Sequence, residues 1–355
     1  MNKSLLRQAP AAYVSALLLG LIALACLFGP LLSPHAYDRV YRDYVLVKPS
    51  LTAHPTPLEV TKALASLARR LKLEVEASKD DGVQLRARLG ASQPIDPRAL
   101  RLFERSDIFA GAQIVETLDG GQKLEIEAPL KRIVFLLGTD ANGRDLLTRI
   151  LIAGRISLAV GLLASLVALV IGVTYGAIAG YAGGRTDALM MRIVEIIYAL
   201  PFIFLVIVLT MLFGRSLVLI FVAIGAVEWL DMARIMRGET LSIKERDYVT
   251  AAEALGASAP AILWRHVLPN AAAPIVAFLT LLVARIILIE SFLSFLGLGV
   301  QEPLTSWGVL IADGARNIQS SVYLLVFPAL FLSATLAALQ ILGDAWRLAL
   351  GRREN

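Results

Sequence analysis

Cysteine is almost absent from this chain. Cys26 is the only one in 355 residues, which excludes a disulfide framework and a cysteine-based metal site. Histidine is nearly as scarce: His35, His54 and His266 are too few and too scattered to build a metal centre. Charge is also short. Only 18% of residues are charged, against about 25% in soluble domains, while 57% are hydrophobic and the mean hydropathy is +0.69. This balance excludes a cytosolic enzyme, a disordered chain and a nucleic-acid binder, and it points to an integral membrane protein with several spans. The net charge of +5 needs no anionic partner, because in a membrane protein a Lys/Arg excess records orientation. No G-x-x-x-x-G-K-[ST] sequence occurs, so the chain has no phosphate-cradling loop of its own.

The little charge present is concentrated. Residues 35–137 hold 30 of the 63 charged side chains, so this stretch is aqueous and the remainder is more apolar than the average suggests. A span needs roughly 20 mostly apolar residues. Six candidates are present: 11–32, 156–180, 192–213, 216–236, 271–297 and 322–345. The fourth is the least clean, with Glu228 and Asp231 near its end. The first has an alternative as a signal peptide, since Ala23-Leu24-Ala25-Cys26 loosely resembles a lipoprotein cleavage site. Against that, the apolar run continues through Leu27, Phe28, Leu31 and Leu32.

With the N-terminus inside, the cytoplasmic side receives Lys3, Arg7, Arg185, Arg192, Arg234, Arg237, Lys244, Arg246, Arg265, Arg347, Arg352 and Arg353. The short outer loops receive only Arg215 and Arg316. The positive-inside rule then places both termini in the cytoplasm and the charged stretch outside. The expected organisation is an N-terminal tail and first span over 1–34, an extracytoplasmic insertion over 35–137, and a five-helix core over 138–355 with a cytoplasmic loop at 240–269.

Within the insertion, Thr56-Pro57-Leu58-Glu59 reads as a capping box with proline at the first helical position. Val60, Leu64, Leu67 and Leu71 follow at helical spacing. Leu73, Val75 and Ala77 alternate with Glu74 and Glu76 as in a strand. Asp81-Gly82 signals a turn into alternating Val83, Leu85, Ala87 and Leu89. Asp96-Pro97 opens a shorter helix with Leu100 and Phe103. Ile114-Val115 and Leu124-Glu125-Ile126 flank an Asp119-Gly120-Gly121 turn. The order helix, hairpin, helix, hairpin is a weak internal repeat and predicts a small α+β domain with one antiparallel sheet. It serves either as a rigid spacer or as a docking or gating surface for an extracytoplasmic solute-binding protein.

The loop after the fourth span carries the most specific pattern. It runs from Leu241 through Lys244-Glu245-Arg246-Asp247-Tyr248-Val249-Thr250-Ala251-Ala252-Glu253-Ala254-Leu255-Gly256-Ala257-Ser258 to His266-Val267-Leu268-Pro269-Asn270. A short helix starts among charges and carries small residues. Gly256 can take a positive φ and end it. A second short helix follows Pro260, and Pro269 is expected to break the chain just before the fifth span. Such a helix–turn–helix with a small-residue tip suits a groove on a partner protein.

Residues 248–258 and 266–270 resemble the "EAA" coupling loop of binding-protein-dependent ABC importer permeases, with Thr250 where that family often has Glu. Further motifs are similar to the dipeptide/oligopeptide/nickel permease family, in its C-type subunit. They include Gly138-Thr139-Asp140-Ala141-Asn142-Gly143-Arg144-Asp145, Arg155-Ile156-Ser157-Leu158, Gly180-Tyr181-Ala182-Gly183-Gly184 through Asp187, and Pro201. Ser294 to Val300, Ser306-Trp307-Gly308 and Leu342-Gly343-Asp344 with Arg347 also fit. The usual Pro-Arg ending is replaced by Leu350-Gly351-Arg352-Arg353. The resemblance covers 138–350 well and 1–35 loosely, and leaves the insertion unexplained.

The resemblance implies an all-α polytopic protein of the bacterial inner membrane, with six transmembrane helices in the type I ABC importer permease fold. It implies a non-enzymatic subunit importing di- or oligopeptides. Its partners would be a second homologous permease subunit, two ATP-binding-cassette ATPase subunits and an extracytoplasmic solute-binding protein. This chain would bind no cofactor or metal; ATP and Mg would sit in the ATPases. Arg246, Asp247, Tyr248, Thr250, Ala251, Ala252, Ala254 and Gly256 would form the ATPase contact. Nickel or another small solute is the neighbouring substrate reading. A membrane receptor or assembly factor using the outer domain, and an independent channel or secondary transporter, are alternatives of other classes.

Charges inside spans are costly and mark function. Arg285 and Glu290 stand in the fifth span, five residues apart. Both are candidates for the translocation pathway, where Arg285 would meet a peptide carboxylate; the alternative is a local pair with each other or with a partner subunit. Asp140 and Asp145 invite a catalytic reading as paired carboxylates, but a helix-capping role before a span is simpler. Gly172, Gly176 and Gly180 read as a helix-packing stripe.

Overall fold

The computed structural model of the chain describes residues 3–350. Arg352 and Arg353, counted above in the charge asymmetry, and Gly351 of the unusual ending lie outside them. The chain divides into two compact units: 1–32 with 150–318 and 324–355, and 33–149 with 319–323.

In chain order, helix α1 (Lys3–Leu32) comes first, followed by α2 (Pro57–Leu71), β1 (Glu74–Asp80), β2 (Gln84–Gly90), a 3-10 turn at Pro97–Leu100 running into α3 (Arg101–Glu104), β3 (Gln113–Leu118) and β4 (Lys123–Pro129). Then come α4 (Leu146–Ala182), α5 (Gly184–Tyr198), α6 (Phe202–Phe213), α7 (Leu217–Lys244), α8 (Asp247–Ala254), α9 (Ala259–Ile262), α10 (Leu268–Phe295), α11 (Trp307–Arg316) and α12 (Tyr323–Leu350).

In the charged unit, α2 starts where its cap dictates. The Thr56 hydroxyl accepts from the Glu59 backbone N–H at 3.4 Å, and the Glu59 carboxylate accepts from the Thr56 N–H at 2.7 Å. Burial opposes the charged form of Glu59, yet the Thr56 N–H and the His54 ring hold its carboxyl below the usual range. Thr56→Ala should cost about 1 kcal/mol, read as roughly fivefold faster hydrogen exchange in 57–71 of the detergent-purified chain.

The sheet is antiparallel in the order β1-β2-β4-β3. Leu85, Ala87 and Leu89 of β2 and Leu124, Ile126 and Ala128 of β4 join Val60, Leu64, Leu67 and Phe103 in one core. On the opposite face Arg86 pairs with Glu127 at 2.5 Å and Arg88 with Glu125 at 3.3 Å. The outer strand β1 departs from its expected alternation. A bulge lies between Val75 and Ala77, so Val75 pairs with Leu89 but Ala77 with Arg88, on the other face. The second outer strand has the same irregularity, between Ile114 and Glu116. Bulged, charged outer strands protect a sheet from edge-to-edge association.

The Gly138–Asp145 motif is a capping turn. The Asp145 carboxylate accepts from the Thr148 N–H (2.8 Å) and hydroxyl (2.7 Å) at the start of α4. Asp140 receives the Arg144 side chain at 2.8 Å and the Arg149 guanidinium. Burial pushes the Asp140 carboxyl up, but the Arg149 charge and the Arg144 N–H outweigh it and hold the group below its ordinary range. These contacts occupy the paired carboxylates structurally.

In the other unit, four of the described helices are long and apolar enough to cross a membrane: α1 from Pro10, α4, the run 259–295 ending in α10, and α12. The expected third span, 192–213, is broken. Here α5 and α6 form a pair bent by 72°, because Pro201 lacks the N–H to continue a helix and biases Leu200 away from helical geometry. Counted as one span, the pair makes five. The expected fourth, 216–236, lies in α7, which is 28 residues long and carries Glu228, Asp231 and Arg234 in its apolar portion.

Pro269 does not break the chain as its chemistry suggests. A π turn at Leu263–Val267 joins α9 to α10, with Pro269 in the first turn of α10. The wider turn accommodates the ring, and the Asn270 amide donates to the His266 carbonyl at 2.6 Å.

The stripe Gly172, Gly176, Gly180 is a packing surface. A Cβ on Gly172 would stand 2.7 Å from the Trp229 carbonyl, and one on Gly180 2.8 Å from that of Arg237. So α4 and α7 touch backbone to backbone, as small residues permit in membrane helices.

Candidate functional site

The segment between α7 and α10 builds a compact protrusion. At the start of α8, Arg246 takes extended geometry and its carbonyl accepts from the N–H of Val249 at 2.9 Å. Asp247 sits in the first turn, where a negative charge meets the positive end of the helix dipole. Val249 is buried, and Ala252, on the same helical face, packs half-buried against the core. Tyr248, Thr250, Ala251 and Ala254 are exposed.

A Schellman cap closes α8. Gly256 stands at φ +81°, its N–H reaching the Glu253 carbonyl at 3.0 Å, and the Ala257 N–H reaches that of Ala252 at 3.0 Å. This pattern requires a left-handed residue, which glycine adopts without Cβ strain. The cap holds Leu255 outward, 89% exposed. Beyond it Ser258 and Pro260 start α9, and the π turn presents Trp264, 74% exposed.

Three contacts brace the protrusion. The Tyr248 ring lies 6.1 Å from that of His266. The Tyr181 hydroxyl, at the end of α4, donates to Glu253 at 2.9 Å, while the Tyr181 carbonyl accepts from Lys244 at 2.7 Å. The exposed rim is thus Tyr248, Ala251, Ala254, Leu255, Gly256 and Trp264: three large side chains among small ones. Sequence reasoning missed Leu255 and Trp264. The available signal was a large apolar residue directly before the helix-ending glycine. Ala252, also expected at the partner contact, is half-buried and packs in part against the protein's own core.

Arg285 and Glu290 do not meet. Glu290 is fully buried and accepts from Ser157 of α4 at 3.0 Å and Ser294 at 2.8 Å. Ser306, the cap of α11, reaches Ser294 at 3.2 Å, and the Trp307 N–H reaches Ser157 at 3.3 Å. The carboxylate staples α4, α10 and the start of α11, which leaves it enclosed and off any open pathway surface of this chain. Arg285 instead reaches across to α7, donating to Asp231 at 2.6 Å.

Residues 172–355 match the family model described as the binding-protein-dependent transport system inner membrane component. The chain belongs to that family. Residues 5–49 of this inner membrane component match a second model, the N-terminal TM domain of oligopeptide transport permease C. Residues 50–171 lie in neither.

Among relatives, it is 49% identical over 228 residues to the oligopeptide transport system permease protein OppC of Haemophilus influenzae, covering 64% of this chain and 73% of that one. The OppC protein of Escherichia coli K12 is 53% identical over 218 residues, 61% of this chain and 72% of the relative. The dipeptide transport system permease protein DppC of Bacillus subtilis is 48% identical over 214 residues, with coverages of 60% and 67%. A chain of the MetNI methionine ABC transporter in inward-facing conformations superposes at TM-score 0.48 with 18% identity, over 57% of this chain and 96% of that one, a likeness too slight to bear on the fold.

Proposed function

We propose that this inner membrane component is the peptide-translocating subunit of an ATP-binding-cassette importer. The observation that carries the reading is the outward Leu255 held by the Gly256 cap: an apolar knob on a short, braced helix suits a groove on a partner ATPase. The names of its relatives, permeases of oligopeptide and dipeptide transport systems, support peptides as cargo.

On this reading α1, α4, the bent α5–α6 pair, α7, α10 and α12 make six crossings. Both termini lie in the cytoplasm and the sheet-bearing unit outside, as the Lys/Arg asymmetry favours. A second permease subunit completes the pathway, a solute-binding protein delivers the peptide, and two ATPase subunits, holding ATP and Mg, dock on residues 246–257. Closure of the ATPases shifts the spans as rigid bodies through this loop.

Deletion of the chain should abolish accumulation of a radiolabelled peptide by energised cells, and re-expression should restore it. Normal peptide uptake with lost nickel uptake would favour the small-solute reading instead. The Tyr181 contact gives a finer check. Tyr181→Phe removes a hydrogen bond worth about 1 kcal/mol. It should lower peptide imported per ATP hydrolysed about threefold while the ATPases still copurify.

A further inference from the structure

Four charges, Glu228, Asp231, Arg234 and Arg285, cluster where three helices meet. Asp231 stands at the midpoint of α7, Arg285 in the central third of α10, and the α5–α6 break at the middle of the bent pair. Arg285 donates to Asp231 at 2.6 Å and its Nε lies 3.6 Å from Glu228. Arg234 lies 3.9 Å from Asp231, with its guanidinium 4.3 Å from the centroid of the Tyr198 ring, at the end of α5.

Two independent features show that this face does not meet lipid. Ionisable side chains in apolar helices face water or protein, yet the Arg285 side chain is 48% exposed and that of Arg234 39%. Irregular backbone at membrane depth is tolerated only where protein buries it or water lines it, yet Ala199, Leu200 and Pro201 at the break are all exposed. A broken helix beside charges is the arrangement in which membrane transporters hold charged cargo.

We propose that Arg285, with Asp231 and Arg234, forms a station within the helix bundle for the charged ends of a short zwitterionic peptide, and that Arg285 reads its free carboxylate. The proposal rests on the peptide-importer reading. Arginine carries five N–H donors in a planar fork that matches a carboxylate; Asp231 takes one and Glu228 stands near another, so donors remain for the cargo. Asp231 in turn faces the ammonium end. Glu228, 4% exposed, anchors Arg285 from behind.

The test uses the complete complex in proteoliposomes and one peptide in two forms, with a free and with an amidated C-terminus. Binding-protein affinity for each form is measured separately. Arg285→Gln should lower uptake of the free-acid form roughly tenfold more than uptake of the amide, the size expected for a lost charge-assisted hydrogen bond. Arg285→Lys should recover part of the difference. Equal losses for both forms would overturn the proposal and make the cluster an interface with the second permease subunit; no loss for either would also overturn it. Should Arg285→Gln fail to assemble, Arg285→Lys alone decides: an unchanged ratio of free-acid to amide uptake contradicts the proposal. If the unaltered complex moves neither form, the peptide reading itself has failed, and the variants are not needed to show it.

Discussion

Leu255→Asp abolishes ATP-driven uptake and leaves the transport component folded in the membrane. Leu255 is 89% exposed, so its replacement removes no core packing and should change stability by less than about 0.5 kcal/mol. If the side chain fills an ATPase groove, however, aspartate places a charge in an apolar pocket. Central apolar anchors are worth about 2 kcal/mol or more on truncation, near thirtyfold in affinity, and a buried unpaired charge adds to that. Copurifying ATPase should therefore fall at least tenfold while the melting temperature of the chain holds. Gly256→Ala acts by another route. It strains the left-handed residue by about 1–2 kcal/mol and tilts the knob, so uptake should fall less steeply. Trp264, exposed on the neighbouring turn, should behave as Leu255 does but more weakly, since it is less exposed than Leu255.

The second large effect concerns the membrane core. Gly176→Leu should prevent recovery of folded protein. A Cβ at Gly176 would meet the Ala233 carbonyl, the Arg237 nitrogen at 2.9 Å and the Met236 Cβ at 2.9 Å. Two of these atoms belong to the α7 backbone, which cannot rotate aside as a side chain can. The helices must separate, and the cost exceeds the usual 1–3 kcal/mol of overpacking. Gly238 provides the contrast on α7 itself: a methyl group there would have nothing within 4 Å. Gly238→Ala should be neutral or stabilising by about 0.5–1 kcal/mol. Monodisperse yield in mild detergent, compared across the two variants, checks the pair.

Local chemistry is the part of the fold most legible in the sequence. The capping box at Thr56 and Glu59, the turn at Asp81-Gly82 and the alternation through Leu85, Ala87 and Leu89 act between residues that are near neighbours in the chain. The glycine that ends α8 is legible for the same reason. Features that depend on distant partners are not. Glu290 reads as a span charge until Ser157, 133 residues away, is brought beside it. Arg285 looks free to pair with Glu290, but its true partner Asp231 is 54 residues away on another helix. Hydropathy windows slide over Pro201 without registering the 72° bend, because leucines and isoleucines on both sides keep the average high. Pro269 reads as a break because the sequence does not reveal the π turn that absorbs it. Leu255 escapes notice because the small residues around it dominate the pattern and hide the one large side chain that the cap leaves exposed.

One thiol decides the central claim. Cys26, the chain's only cysteine, is buried, so Leu255→Cys supplies a single accessible sulfhydryl at the tip of the loop. Membranes carrying this variant with all its partners are treated with a short bifunctional thiol-to-amine crosslinker, and the adduct is identified by mass spectrometry. The account predicts a crosslink to an ATP-hydrolysing subunit whose yield changes when ATP is added. A variant that imports peptide normally yet yields no adduct with any ATPase would contradict it.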